Sequence, residues 1–189
     1  MKPMKKTHRA TENLYDEIRI KARGIASENL PIAMINSAGQ GINVRNVVSL
    51  TGIDFKARTQ ANAWHSSPFR RVDWPWMKSV GNYAWLNPKR FELAIWYKDL
   101  YLSGLALGRP TWSGNKLRLD FIEASPERNA LTGLVTDITI IAAVAHATAI
   151  GASQIRIMNP VNEKVRDHYL SSNRGFSYDK HENFCYKDI

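Results

Sequence analysis

The chain has 189 residues, 44% of them hydrophobic and 10% aromatic, which supports one sizeable core and excludes global disorder. A single cysteine, Cys185, excludes a disulfide framework and a cysteine-rich zinc site, and makes a reducing cytoplasm the expected setting. The formal charge of +9 falls entirely in residues 1–90, where 15 Lys and Arg meet 6 Asp and Glu; that half carries either one basic face for an anionic partner or scattered solvated charge.

The opening MKPMKKTHRATENL is basic with no apolar run behind it, so no secretory signal is expected. Residues 10–27 read as a helix, with Leu14, Ile18, Ala22 and Ile25 at helical spacing and Thr11 as N-cap. Between 31 and 60, PIAMI is apolar, SAGQG is a turn, and INVRNVVSL fits a strand or a short helix. Residues 61–90 read as irregular and hold four of the six tryptophans, Trp64, Trp74, Trp76 and Trp85. That segment is either a satellite core sealing one end of a sheet or, with Arg70, Arg71, Lys89 and Arg90, a stacking clamp for nucleic acid.

From residue 91 the pattern is regular. FELAIWYK and YLSGLALGR are strands joined by a turn at Lys98-Asp99-Leu100. KLRLDFIE alternates, with Leu117, Leu119, Phe121 and Glu123 on one face and Arg118 and Asp120 on the other. SPERNALTG is a connector. LVTDITIIAAVAHATAIG reads as a helix with Leu134, Ile138, Ile141, Ala145 and Thr148 in one stripe and Gly151 at its end. Its apolar run is too short to span a bilayer, and His146 within it reads as a packed histidine. SQIRIM is a strand, 162–172 a second helix, and GFSYDK and NFCYKD closing strands. The histidines show no metal spacing, and no Ser/His/Asp order or basic context around Cys185 points to a nucleophile.

The order β-β-β-α-β-α-β-β, together with Asn162, Val165, Tyr169 and Gly175-Phe176, resembles the GNAT acyltransferases over the last 100 residues. The resemblance implies an α/β (α+β) single domain: a mixed, mostly antiparallel central sheet flanked by helices. Residues 1–90 would be its variable acceptor side and 91–189 its acyl-CoA-binding core. It implies an N-acetyltransferase that moves acetyl from acetyl-CoA to an amine by direct attack.

In that reading the turn Ser125 to Gly133 and the start of the following helix cradle the pyrophosphate. Ser125, Arg128, Asn129, Thr132, Gly133 and Leu134 are the residues concerned; free amides and the helix dipole attract an anion there. Asn162 holds the pantetheine arm or is an ordinary N-cap. Tyr169 protonates the departing thiolate or packs on the sheet. Glu123 takes the amine proton, directly or through water, or is a strand-end side chain turned to solvent.

Two departures stand out. The family places a Gln or Arg and two glycines where Asn129, Thr132 and Leu134 stand here, and only Gly133 remains, displaced by one. The segment SSNR makes the spacing from Tyr169 to Gly175 two residues longer than usual. The implied partners are acyl-CoA, an amine acceptor, nucleic acid or aminoacyl-tRNA through residues 1–90, and a second copy in a homodimer. The alternative is a catalytically inactive module of this fold that binds nucleic acid or protein through its basic half.

Overall fold

A computed structural model of the chain describes residues 7–171 and 174–189. Helix α1 (His8–Asn29) starts earlier than the expected cap, because the Thr7 hydroxyl accepts the Ala10 amide. Its buried residues are Arg19, Ala22 and Ala26, whereas Leu14 and Ile25 are exposed. The alanines let α1 lie close along α5 (Val135–Ala149). Arg19 is tolerated inside because Glu12, Asp16 and Glu92 surround it.

A small hairpin follows, β1 (Met34–Ile35) and β2 (Gly41–Ile42). INVRNVVSL then splits between α2 (Val44–Val47) and β3 (Val48–Thr51). Helix α3 (Phe55–Ala63) runs from the 31–60 stretch into the one that reads as irregular, and α4 (Trp76–Leu86) lies within the latter. Each buries only two side chains of its own, Ala57 and Ala61 in α3 and Trp76 and Val80 in α4, so neither carries a visible apolar stripe.

The second half follows the expected order: β4 (Phe91–Tyr97), β5 (Tyr101–Pro110), β6 (Lys116–Ala124), α5, β7 (Gln154–Met158), α6 (Glu163–Leu170), β8 (Ser177–Asp179) and β9 (Phe184–Asp188). Lys98 and Asp99 both take positive φ, as a tight hairpin requires. The seven-stranded sheet runs β3-β4-β5-β6-β7-β9-β8, and only β6 and β7 are parallel. The expected mixed, mostly antiparallel sheet is therefore present, and β3 carries residues 1–90 into it. Helices α1 and α5 cover one face over Leu93, Leu117 and Ile155. Helices α3 and α4 cover the other over Leu105 and Leu107. Trp64 and Trp76 are buried in that second core, so the tryptophan-rich stretch is chiefly structural. Wedged between α1 and the sheet, α5 is buried on more than one side; Thr148 of the expected stripe is exposed.

Two irregularities shape β6. The register with β5 shifts between Leu107 and Gly108, so Asp120 is an extra residue. The bulge reverses the alternation: Leu117 and Leu119 face the α5 core, while Asp120, Phe121 and Glu123 all meet α4 or the loop before it. The expectation that Asp120 and Glu123 point to opposite faces is thus corrected. In addition, the pairing of β6 with β7 ends at Leu119 and Ile157, so the last residues of β6 have no partner on that side.

His146 of α5 is 1% exposed beside Phe91, and its Nε2 has no partner among the described residues. Burial, with Arg19 and Arg23 nearby, pushes its pKa down to about 4. The unfolded chain takes up a proton near pH 6.5 that the native state refuses until about pH 4. The stabilisation is complete above pH 6.5 and is lost as the pH falls through this window, amounting to roughly 3 kcal/mol. Urea unfolding of His146→Leu should show this part of the pH slope removed; an unchanged slope would assign it to other groups.

Candidate active site

A groove of about 1850 Å³ opens where β6 and β7 part. One wall is the Ser125–Thr136 turn and the start of α5; the floor is the end of β6; the other wall is Met158 to Val161 and α6. The hairpin tip at Asn36 to Gln40 flanks the first wall, and Phe69, Arg71, Trp74 and Tyr83 close the far end.

The turn is held from within. The Ser125 amide donates to the Ser103 carbonyl and its hydroxyl accepts the Glu127 amide. Asn129 Oδ1 accepts the Leu131 amide, and Thr132 Oγ1 accepts the Asn129 amide. Buried Asn36 ties the hairpin on by donating to the Ala130 carbonyl at 3.1 Å, and the Ser37 amide donates to Thr132. At Gly133 φ is +91°, and a Cβ would sit 2.9 Å from Ser37 Cβ, so only glycine fits. Gly104 serves the same end from the sheet: a Cβ there would meet Val135 at 2.4 Å, and its absence lets α5 begin directly over β5.

What remains unbonded is informative. The amides of Gly133, Val135 and Thr136 have no acceptor among the described residues, and no side chain caps α5 at Leu134. These are free donors at the positive end of a 15-residue helix, beside the exposed Arg128. Leu134 itself departs from expectation: its side chain is 2% exposed in the core and its amide donates to Leu131. Asn162 is the N-cap of α6, accepting the Val165 amide at 2.9 Å, and does not line the groove; Asn159 does.

Tyr169 lines the groove at 6% exposure, and its hydroxyl has no partner among the described residues. Burial, then the neighbouring Cys185, raises it to about 12, against the lowering effect of Arg174. Residues 172 and 173 of SSNR lie outside the described residues. Arg174 after them is fixed to Asp137 of α5 at 2.7 and 3.1 Å, and Phe176 is buried. Burial raises the Cys185 thiol to about 11, which keeps it out of nucleophilic chemistry.

Glu123 is buried, but it is not free. Its Oε1 accepts from Arg70 Nε at 2.6 Å; its Oε2 accepts from Arg70 Nη2 at 3.1 Å and Trp76 Nε1 at 2.5 Å. Arg70 also donates to the Trp74 carbonyl, so the pair pins the loop before α4 to the end of β6. Asp120 is engaged as well, by Tyr83, Arg109 and Arg118. The desolvated Tyr83 phenol beside Asp120 is raised far above its ordinary value. Arg90 pairs with Glu12 and Glu92, and Lys89 sits over the Tyr15 ring. Of the four cations expected to clamp nucleic acid, Arg71 alone lines the groove without a partner among the described residues.

The fold recurs in solved structures. A mutant of the spermidine N-acetyltransferase of Vibrio cholerae superposes with a TM-score of 0.56 at 11% identity, covering 76% of this chain and 94% of that one. The ribosomal-protein-S18-alanine N-acetyltransferase of Escherichia coli does so with 0.53 at 10% identity, covering 75% and 94%. This chain has the GNAT acetyltransferase fold. No protein-family profile and no curated protein sequence matches it.

Within the GNAT fold, α1, the 34–42 hairpin and α2 precede the strand that opens the main sheet. Sequence reasoning missed the hairpin as part of the groove, because nothing local in NSAGQG announces a contact 94 residues away. It also missed Tyr83 and Asn159. The positive φ of Asn159, at 46°, is a turn signal that Asn-Pro could have supplied. Among the described residues no cluster could hold a metal ion, and no helix is long and apolar enough to cross a membrane.

Proposed function

We propose that the chain is an N-acetyltransferase using acetyl-CoA as acyl donor and an amine as acceptor. The observation that carries this reading is one groove lined both by the residues with free amides at the start of α5 and by Tyr169, whose hydroxyl has no partner among the described residues. The residues fit the donor. Gly133, Val135 and Thr136 would take its diphosphate on their amides, with Arg128 beside them. Acetyl-CoA supplies an acetyl thioester, whose carbonyl carbon bonds to the amine nitrogen as the carbon–sulfur bond breaks. Tyr169 keeps its proton up to about pH 12 and holds it at the groove wall for the departing sulfur. Asn162 supports the site by fixing the start of α6.

Glu123 enters this mechanism as a positioning residue. With both oxygens engaged it shapes the acceptor end through Arg70 and Trp76, and the amine proton passes to water. The acceptor end carries Arg71, Arg109 and Arg118, which suits an acceptor bearing negative charge, a nucleic acid or aminoacyl-tRNA included. A reducing cytoplasm suits the single buried Cys185.

The engagement of both Asp120 and Glu123 favours one competing reading, a binding module that has lost catalysis. Titration calorimetry with acetyl-CoA separates the two. Saturable micromolar binding is expected for the enzyme. No heat at millimolar donor would sink it in favour of the module.

A further inference from the structure

Across the sheet from the groove outward, three arginines stand in register. Arg109 of β5 is paired with Arg118 of β6, and Arg118 with Arg156 of β7. Paired residues project from the same face. It is the face that α3 and α4 cover over β4, β5 and the end of β6 but not over β7; Ile155 and Ile157 point the other way, into the α5 core. Like charges directly opposite one another on adjacent strands destabilise a sheet.

One shared carboxylate offsets part of that repulsion. Asp120 accepts from Nε of Arg109 and of Arg118, at 3.3 and 2.6 Å. Arg156 donates from Nε to Gln154, and its guanidinium lies 4.3 Å over the Phe184 ring. The Nη nitrogens of all three have no acceptor among the described residues. The row spans about 10 Å at ordinary strand spacing. Its groove end, Arg109 and Arg118, belongs to the acceptor side of the cleft.

A second observation lies beside it. Trp112, in the loop between β5 and β6 and three residues beyond Arg109, is fully exposed at 106%. Both faces of its indole are open. Cations with unused planar donors bind phosphate oxygens bidentately, and an open indole stacks an unpaired base.

We propose that this face binds single-stranded nucleic acid, with the Arg109–Arg118–Arg156 row on the phosphates and Trp112 against a base. This rests on the acetyl-transfer reading only in that the strand would bring its amine into the groove; the binding itself does not depend on it. An acidic protein would satisfy the charges but leave the open indole unused.

The test is fluorescence anisotropy with labelled single-stranded oligonucleotides of about 12 nucleotides, within the usual site size. Binding should weaken steeply with salt, and Arg156→Gln should lower the log–log salt slope by about 1. Trp112→Ala should weaken binding at least about 5-fold. Both positions lie outside the groove, so acetyl-CoA affinity by calorimetry should be unchanged in both variants. Trp112 is fully exposed, so its variant stays informative even if Arg156→Gln folds poorly. A preference for RNA or DNA of one sequence would identify the source of the strand and support the proposal. Salt-independent binding, no binding, or wild-type affinity in both variants would overturn it. So would polyglutamate binding as tightly as the oligonucleotide, which would point to an acidic protein instead. Loss of acetyl-CoA binding in the wild type would overturn the transferase reading and leave the oligonucleotide result standing.

Discussion

Glu123→Gln should lower the free energy of unfolding by about 3–5 kcal/mol, the range for removing one partner of a buried ion pair. Glu123 and Arg70 have side chains 3% and 7% exposed, and no second buried carboxylate bonds Arg70. Glutamine has the right shape, but one of its ends donates. It would face Arg70 or Trp76, which also donate, and one contact would become donor against donor. The measurement is urea unfolding, read as a fall in midpoint at constant slope. Arg70→Met should be comparably costly. The double variant Arg70→Met with Glu123→Leu should cost less than the two singles together, since no unpaired charge is then buried; Trp76 Nε1 alone loses its acceptor. A loss below about 1 kcal/mol for Glu123→Gln would show that something else pins the 67–76 loop.

Tyr169→Phe should reduce acetyl transfer about 100-fold, equivalent to about 2.7 kcal/mol of barrier, with acetyl-CoA affinity unchanged. The hydroxyl bonds nothing among the described residues, so the ring packs as before, and the unfolding midpoint should stay near wild type. That split separates a proton donor from a core aromatic. A structural role would move stability and leave turnover alone. Unchanged turnover would remove Tyr169 from the chemistry.

The second half of the fold was legible because its signals are local. β4, β5, β6, α5 and β7 each carry their own periodicity, and Lys98-Asp99 and Asn159-Pro160 punctuate them. In the first half α1 and the SAGQG turn were legible, but the face α1 buries and the helix α4 were not, because they are placed by unusual contacts. α1 turns Arg19 inward to meet Glu12 and Glu92, and α4 buries Trp76 on Glu123. No hydrophobic pattern encodes a buried ion pair. Around the groove, the turn at Gly133, the Asn162 cap and the helix bearing Tyr169 were legible as local structure; Gly133 and Tyr169 line the groove and Asn162 does not. The candidate site was misread at Glu123 and Asp120, because one inserted residue reverses every later side chain of β6. A bulge leaves no mark in a single sequence.

The contact between the 34–42 hairpin and the 130–133 turn has a kinetic side. Asn36 reaches Ala130 across 94 residues of chain, and Ser37 closes against Gly133 only when both are in place. Closing so long a loop is entropically late in folding. The hairpin flank of the groove is therefore missing from any partly folded form that lacks this contact. A complete groove becomes a property of the finished chain, and a nicked chain that has lost its first 42 residues would carry Tyr169 in a groove without its hairpin flank.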